Sequence, residues 1–177
     1  MKIGIDISQT AFDKTGVAEY VIKLVTHLLS IDKENEYVLF FSSMRKKFQI
    51  SNFKFKISNK NVKLKIFKFP PTLLDLLWNK LHLFPIEWLI GDVDVFISSD
   101  WTQPPSKGKK VTILYDLIIY KYPKETDKRI VAVQKRRLAW VKKECDKIIC
   151  ISESTKKDAI DILGIEESKL SVIYPGI

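Results

Sequence analysis

The chain has 177 residues, 46% of them hydrophobic, with six glycines and seven prolines; this excludes a disordered or low-complexity chain and suits one domain with a good-sized core. Its net charge is +9, and Arg45, Lys46, Lys47, Lys54, Lys56, Lys60, Lys63, Lys65 and Lys68 match that excess within one acid-free stretch. A basic face so localised points to an anionic partner, or else to a solvated surface in a Lys-rich protein.

Lys2–Ile7 (KIGIDI) reads as a first strand, followed by the polar segment Ser8–Gly16. Val17, Tyr20, Val21, Leu24, Val25 and Leu28 then recur at helical spacing and predict one apolar stripe of an amphipathic helix. Tyr37–Phe41 (YVLFF) is a fully apolar strand. Residues 43–61 read as an irregular basic excursion with an edge strand in Phe53–Ile57, and Val62–Phe69 alternates apolar residues with Lys, as a half-exposed strand does. After Pro70-Pro71, the spacing Thr72-x-x-Asp75 predicts a capping box opening a helix to about His82. The polar stripe of that helix is Asp75, Asn79 and His82. Val93–Ser98 and Val111–Tyr115 are further buried-type strands, separated by a loop over Ser99–Lys109. A basic helix over about Glu125–Glu144, a strand at Lys147–Ile151, a capped helix over Ser152–Leu163 ending at Gly164, and a strand at Leu170–Ile173 complete the chain. The alternation predicts an α/β fold with a parallel sheet of about six or seven strands and helices on both faces. Neither an internal repeat nor a domain boundary is evident within residues 1–177.

In an open parallel sheet, ligands sit beyond the carboxyl ends of the strands. The candidates there are Asp6, Ser8, Gln9, Thr15 and Gly16 after the first strand, and Ser98, Ser99, Asp100, Trp101, Thr102 and Gln103 after the fourth. Tyr115 and Asp116 follow the fifth strand, and Ser152 and Glu153 the sixth. Gly16 before a helix suits a phosphate or an acceptor oxygen, or is simply a cap. Asp116 would orient a hydroxyl or act as a base, or else cap a turn. Trp101 would stack on a sugar ring, or pack on its own domain. Gly16, Asp100, Trp101, Tyr115, Asp116 and Ser152 are expected around one cleft mouth. No Ser/His/Asp set is evident, His27 and His82 read as structural, and the absence of G-x-G-x-x-G argues against a dinucleotide site. Cys145 and Cys150 are the only cysteines. They read as buried thiols in a reducing, cytoplasmic setting, with no metal-ligand spacing. MKIGIDIS lacks signal-peptide character, and no apolar run approaches the ~18 residues needed to cross a bilayer. The expectation is therefore a soluble or peripheral protein.

Four segments in order carry a resemblance: IGIDISQTAFDKTGVAEYVIKLV, FISSDWTQPP, VTILYDLIIYKYP and DKIICISESTKKDAIDILGIEESKLSVIYPGI. Together the chain resembles the N-terminal domain of the retaining GT-B glycosyltransferases called GT4, except over residues 43–90. The resemblance implies two Rossmann-like domains facing a cleft, the acceptor held mainly by the first and the nucleotide-sugar mainly by the second. It also implies retention of configuration, with no cofactor and no required metal. Tyr115 stands where most relatives carry His, and a phenol with a pKa of about 10 is a poor proton carrier near neutrality.

Residues 1–177 are thus expected to form a single acceptor-side domain without the donor-binding domain, inactive alone. The chain would be either an excised piece or a natural half that pairs with a separate donor-domain polypeptide. Its expected ligand is a glycan or lipid-linked acceptor. The rival reading is a non-catalytic module on the same fold for an anionic glycan or membrane surface. Phe48, Phe53, Phe55, Phe67 and Phe69 interleave the basic residues but form no RNA-binding motif, so no nucleic-acid partner is expected. Lys46, Lys47, Lys54 and Lys56, beside the Leu- and Trp-rich segment 72–90, suggest an anionic membrane patch; alternatively the leucines fill the core.

Overall fold

The computed structural model describes residues 1–12, 15–48 and 61–176. Seven strands, β1 (Lys2–Asp6), β2 (Glu36–Ser42), β3 (Val62–Phe67), β4 (Val95–Ser98), β5 (Lys109–Leu114), β6 (Lys147–Cys150) and β7 (Leu170–Val172), form one parallel sheet in the order β3-β2-β1-β4-β5-β6-β7. Ile5 of β1 lies opposite Leu39 on one side and Ile97 on the other. The chain winds outward from β1 to β3, then returns to the other side of β1 to lay down β4 to β7. This is a Rossmann-like α/β fold, with its topological switch point between β1 and β4. The predicted edge strand Phe53–Ile57 lies outside the described residues.

Both faces of the sheet are covered, and β2 shows why its apolar run was needed. Tyr37, Leu39 and Phe41 pack with Val21, Val25 and Leu29 of helix α1 (Gly16–Ile31). The alternate residues Val38 and Phe40 pack with Leu74, Trp78, Ile86 and Ile90 on the opposite face. A strand buried on both sides has no polar face to offer, and each such aliphatic side chain contributes about 1.5–3 kcal/mol. Gly4 of β1 lies against this second cluster. A Cβ there would come within 2.8 Å of Phe96 and 2.9 Å of Ile90, so only glycine lets them approach. A third cluster joins β5, β6 and β7 to α5 (Lys128–Glu144) and α6 (Glu153–Leu163) through Leu114, Ile148, Leu170, Leu138, Val141 and Ala159. Asp127 caps α5, Ser152 caps α6, and Gly164 ends α6 at φ +62. Cys145 and Cys150 are free and buried, and burial pushes their thiols up to about 12 and about 11.

Two helix readings need correction. The core face of α1 is Ala18, Val21, Val25 and Leu29, one strip around from the predicted stripe; Val17, Tyr20 and Leu24 sit at its edge and line an open cleft. The second correction is larger. The helix after Pro70-Pro71 starts at Pro71, with Pro70 in the capping position and no side-chain cap, so Thr72 and Asp75 form no capping box. It runs as α2 (Pro71–Leu74) into a π-helical segment (Asp75–Lys80). The expected polar stripe points inward. Asp75 and Asn79 are buried, 8% and 2% exposed, while Leu76, Leu81, Leu83 and Phe84 stand in solvent. Asp75 accepts from Arg136 of α5 at 2.6 Å and from Asn79 at 3.0 Å. The His82 ring stacks on Trp140 at 3.6 Å, and its Nε2 lies 3.1 Å from the Glu144 carboxylate. Short helices α3 (Glu87–Ile90) and α4 (Ile118–Lys121) complete the described elements that flank the site.

Candidate active-site cleft

At the switch point, the chain leaving β1 turns through Ser8–Ala11 toward α1, while the chain leaving β4 turns the other way through Ser99–Gln103. The crevice between them holds a cleft of about 600 Å³. Asp6, Ser8, Gln9, Ser99, Asp100 and Thr102 line its polar part; Phe12, Val17, Pro71, Leu74, Trp101 and Ile130 form its apolar walls. Among the described lining residues none is Lys or Arg.

Two carboxylates dominate this cleft. Asp6 is 3% exposed and accepts from the Ser8 amide at 2.8 Å. Burial raises its pKa to about 6; hydrogen bonds from Ser8 and Ser99 oppose the rise, and the nearby Asp100 charge adds to it. Asp100 is also raised by burial, with the Arg137 guanidinium opposing. Gln9, its carboxamide turned to suit its neighbours, donates to the Asp6 carbonyl at 3.1 Å and accepts from the Asp100 amide at 3.0 Å.

The loop carrying Asp100 is held from two sides. From α5, Arg137 donates to the Ser99 carbonyl at 3.0 Å and to Thr112 Oγ1 at 2.7 Å, and Gln134 donates to the Asp100 carbonyl at 2.6 Å. From the π segment, Asn79 donates to the Trp101 carbonyl and accepts from the Gln103 amide, both at 3.0 Å. Ser99 Oγ accepts from the amides of Trp101 and Thr102, each at 3.2 Å. Buried networks of this kind fix loop geometry, although the Gln103 Nε2 is left without a partner among the described residues. Arg137 is 2% exposed, and burial lowers its pKa while Asp100 pulls it back up.

A second cleft of about 770 Å³ adjoins the first across Val17. Gly16, Tyr20, Lys23 and His27 of α1 line it, with Tyr115, Ile151 and the segment Ile173–Gly176 opposite. Tyr115 meets Tyr20 edge to face at 5.5 Å. Its hydroxyl is buried without a hydrogen-bond partner among the described residues, and burial holds the phenol well above its usual range. It is therefore a neutral, buried hydroxyl, and Tyr115 is also one of the residues that line the cleft. A Cβ on Gly16 would meet nothing within 4 Å, so no neighbour of its own domain fills the space beside it.

Asp6, Thr15, Asp100, Trp101 and Thr102 thus share the first cleft, and Gly16 and Tyr115 the second. Asp116, Ser152 and Glu153 line neither. Asp116 is exposed and accepts from the Ile118 amide at 3.0 Å, forming a turn. Ser152 accepts from the Thr155 amide at 3.1 Å as the cap of α6, and Glu153 is exposed in its first turn. Lys46 and Lys47 are exposed on the turn after β2; Lys54 and Lys56 lie outside the described residues. Sequence reasoning passed over Arg137, Gln134 and Asn79. The signal for Arg137 was present: at i+4 from Val133 and i−4 from Val141, it falls within the buried strip of α5.

Comparison with protein families matches residues 14–177 to the model of Glycosyltransferase Family 4. The chain belongs to that family. Comparison with curated proteins gave no match. Family 4 membership makes this domain a glycosyltransferase module, in a family whose members handle a sugar donor and an acceptor. No helix among the described residues is long and apolar enough to cross a membrane.

Proposed function

We propose that the chain is the acceptor-side domain of a retaining hexosyltransferase in polysaccharide biosynthesis. It would act at the cytoplasmic face of a membrane, moving a sugar from a nucleotide-sugar to a glycan or lipid-linked acceptor. One observation carries the reading. The switch-point cleft presents a buried carboxylate (Asp6), a half-buried one (Asp100), hydroxyl groups and the Trp101 ring, with no Lys or Arg among its described lining residues. Carboxylates accept hydrogen bonds from sugar hydroxyls, and an aromatic ring packs on the apolar face of a pyranose. A phosphate would find two like charges there instead. Keeping Asp6 ionised in this position costs about 3 kcal/mol at neutral pH, because burial raises its pKa to about 6. Such a cost is characteristic of functional sites.

In this reading Asp6 and Asp100 orient acceptor hydroxyls, and the Tyr115 ring shapes the wall of the adjoining cleft. Asp116 keeps a turn-forming role. Stabilising the departing diphosphate needs converging cations or N–H donors. Lys23 is the only Lys or Arg among the described lining residues of either cleft, so the clamp belongs to a donor-binding domain beyond these residues or on another chain.

Calorimetry and a turnover assay on residues 1–177 test this. The expected result is barely measurable binding of UDP- and GDP-sugars and no sugar transfer. Micromolar affinity for a nucleotide-sugar by these residues alone would overturn the division of labour.

A further inference from the structure

The loop leaving β4 presents two side chains to the first cleft, Asp100 and Trp101. Three successive carbonyls of this loop each accept from a side chain of another element: Ser99 from Arg137, Asp100 from Gln134 and Trp101 from Asn79. Loops ordinarily leave such groups to water. Here Ser99, Thr102 and Gln103 are 2%, 2% and 0% exposed, while Asp100 and Trp101 are only half-buried. The two side chains that line the cleft therefore take their direction from a main chain fixed beneath them.

Asn79 holds the centre of this arrangement. Its carboxamide nitrogen donates to Asp75 Oδ1 and to the Trp101 carbonyl, both at 3.0 Å, and its oxygen accepts from the Gln103 amide at 3.0 Å. Its main-chain carbonyl accepts from the Trp140 indole at 2.9 Å. Both carboxamide hydrogens and the oxygen are thus committed, to its own turn and to the cleft loop. Few side chains can replace it. Asp lacks the two donors and would set a second carboxylate beside Asp75, Ser is too short, and Gln carries the same group one methylene farther. The turn that carries Asn79 is π-helical, a departure from α geometry that recurs at functional sites. The same turn follows directly on Pro71 and Leu74, which line the cleft.

We propose that Asn79 is a positioning residue for the acceptor: by gripping the Trp101 carbonyl and the Gln103 amide it sets the direction of the Trp101 ring. Gln134 does the same for Asp100 through the Asp100 carbonyl. Neither Asn79 nor Gln134 lines the cleft, so both act through the loop. The proposal rests on the reading of this cleft as a sugar-acceptor site. Its consequence is that a substitution beneath the loop weakens sugar binding without removing any contact to the sugar.

Nuclear magnetic resonance titration of the protein with a short-chain alkyl hexoside, with melting temperatures measured alongside, tests it. In Asn79→Ala the Trp101 indole resonance should move before ligand is added, and the hexoside Kd should rise at least about tenfold. Gln134→Met, a side chain of the same length at a half-buried site, should keep the fold and raise the Kd roughly fivefold. Leu163→Ala, in the core cluster beneath α6, should lower the melting temperature yet leave the Kd within about twofold of the parent. An unchanged Kd in a folded Asn79→Ala, or in Gln134→Met where Asn79→Ala does not fold, would overturn the proposal and leave the acceptor reading standing. Equal weakening in Leu163→Ala would also overturn it, because lost stability alone would then lower affinity. Absence of hexoside binding by the parent would overturn the acceptor reading itself, and the proposal with it.

Discussion

Helix α1 and the helix over residues 71–80 obey different rules, although both read in the sequence as amphipathic. In α1 the apolar side packs on the sheet and the polar side faces water, with Val21, Val25 and Leu29 at 3% exposure or less. In the second helix Asp75 and Asn79 turn in, while Leu76, and Leu81 just beyond the last turn, stand in solvent. The difference lies in what waits on the sheet side. α1 meets Ile5, Tyr37 and Leu39. The second helix meets apolar Phe40 and Val38 along one strip, but Arg136, the Trp140 indole and the loop 101–103 along the next. Those groups need partners once they leave water, and an unpaired one costs about 1–3 kcal/mol. Asp75 and Asn79 supply the partners. The π turn, closed by the Leu81 amide on the Leu76 carbonyl at 3.0 Å, lets the helix present them.

The largest expected effect tests this directly. Asp75→Ala removes the carboxylate that pairs with the half-buried Arg136 and one of the partners of buried Asn79, and should destabilise the protein by about 3 kcal/mol in urea unfolding. A loss below about 1 kcal/mol would mean that apolar packing alone holds the helix. Asp6 offers the opposite case, a buried carboxylate with no cation of its own. Its folded pKa, about 6, lies above the usual 3.8, so the folded state binds its proton more tightly than the unfolded state does. Its contribution is then most favourable below about pH 4 and is lost as pH rises through 6. Asp6→Asn should remove this slope, and its stability relative to the parent should rise by about 2–3 kcal/mol between pH 4 and pH 8. A pH-independent difference would contradict the assignment. In α1, Val25→Ala removes apolar atoms from a fully buried site and should cost about 2 kcal/mol. The smallest effect belongs to the outer side of the second helix. Leu76→Ser should change stability by no more than about 0.5 kcal/mol, since Leu76 is exposed and belongs to none of the three core clusters; a larger loss would mean that this side is packed.

The same contrast explains what was legible in the sequence. The strands and α1 were readable because apolar spacing decides them, as YVLFF with its two buried faces illustrates. The sheet order was not readable from spacing, because β1–β4 pairing joins residues about ninety apart and leaves no local mark. Asp6, Asp100, Trp101 and Tyr115 were reachable as polar or aromatic residues at strand ends. Asp116 and Ser152 share that position but are occupied by turn and cap hydrogen bonds, which residue type alone does not distinguish. Thr72-x-x-Asp75 misled for a related reason: it has the spacing of a capping box, yet the nearer demand on Asp75 comes from Arg136, sixty-one residues away. Long-range polar pairing leaves no period to detect.

The central claim is that the switch-point cleft recognises a neutral sugar acceptor. Amide and indole chemical-shift mapping with a short-chain alkyl hexoside tests it most directly. The account predicts concentration-dependent shifts at Ser8, Gln9, Asp100 and Trp101, diminished in Trp101→Ala and absent from Gly108 and Lys109 at the opposite end of the sheet. Shifts confined to that opposite end, or none at the cleft where a nucleotide-sugar shifts the same residues strongly, would contradict it.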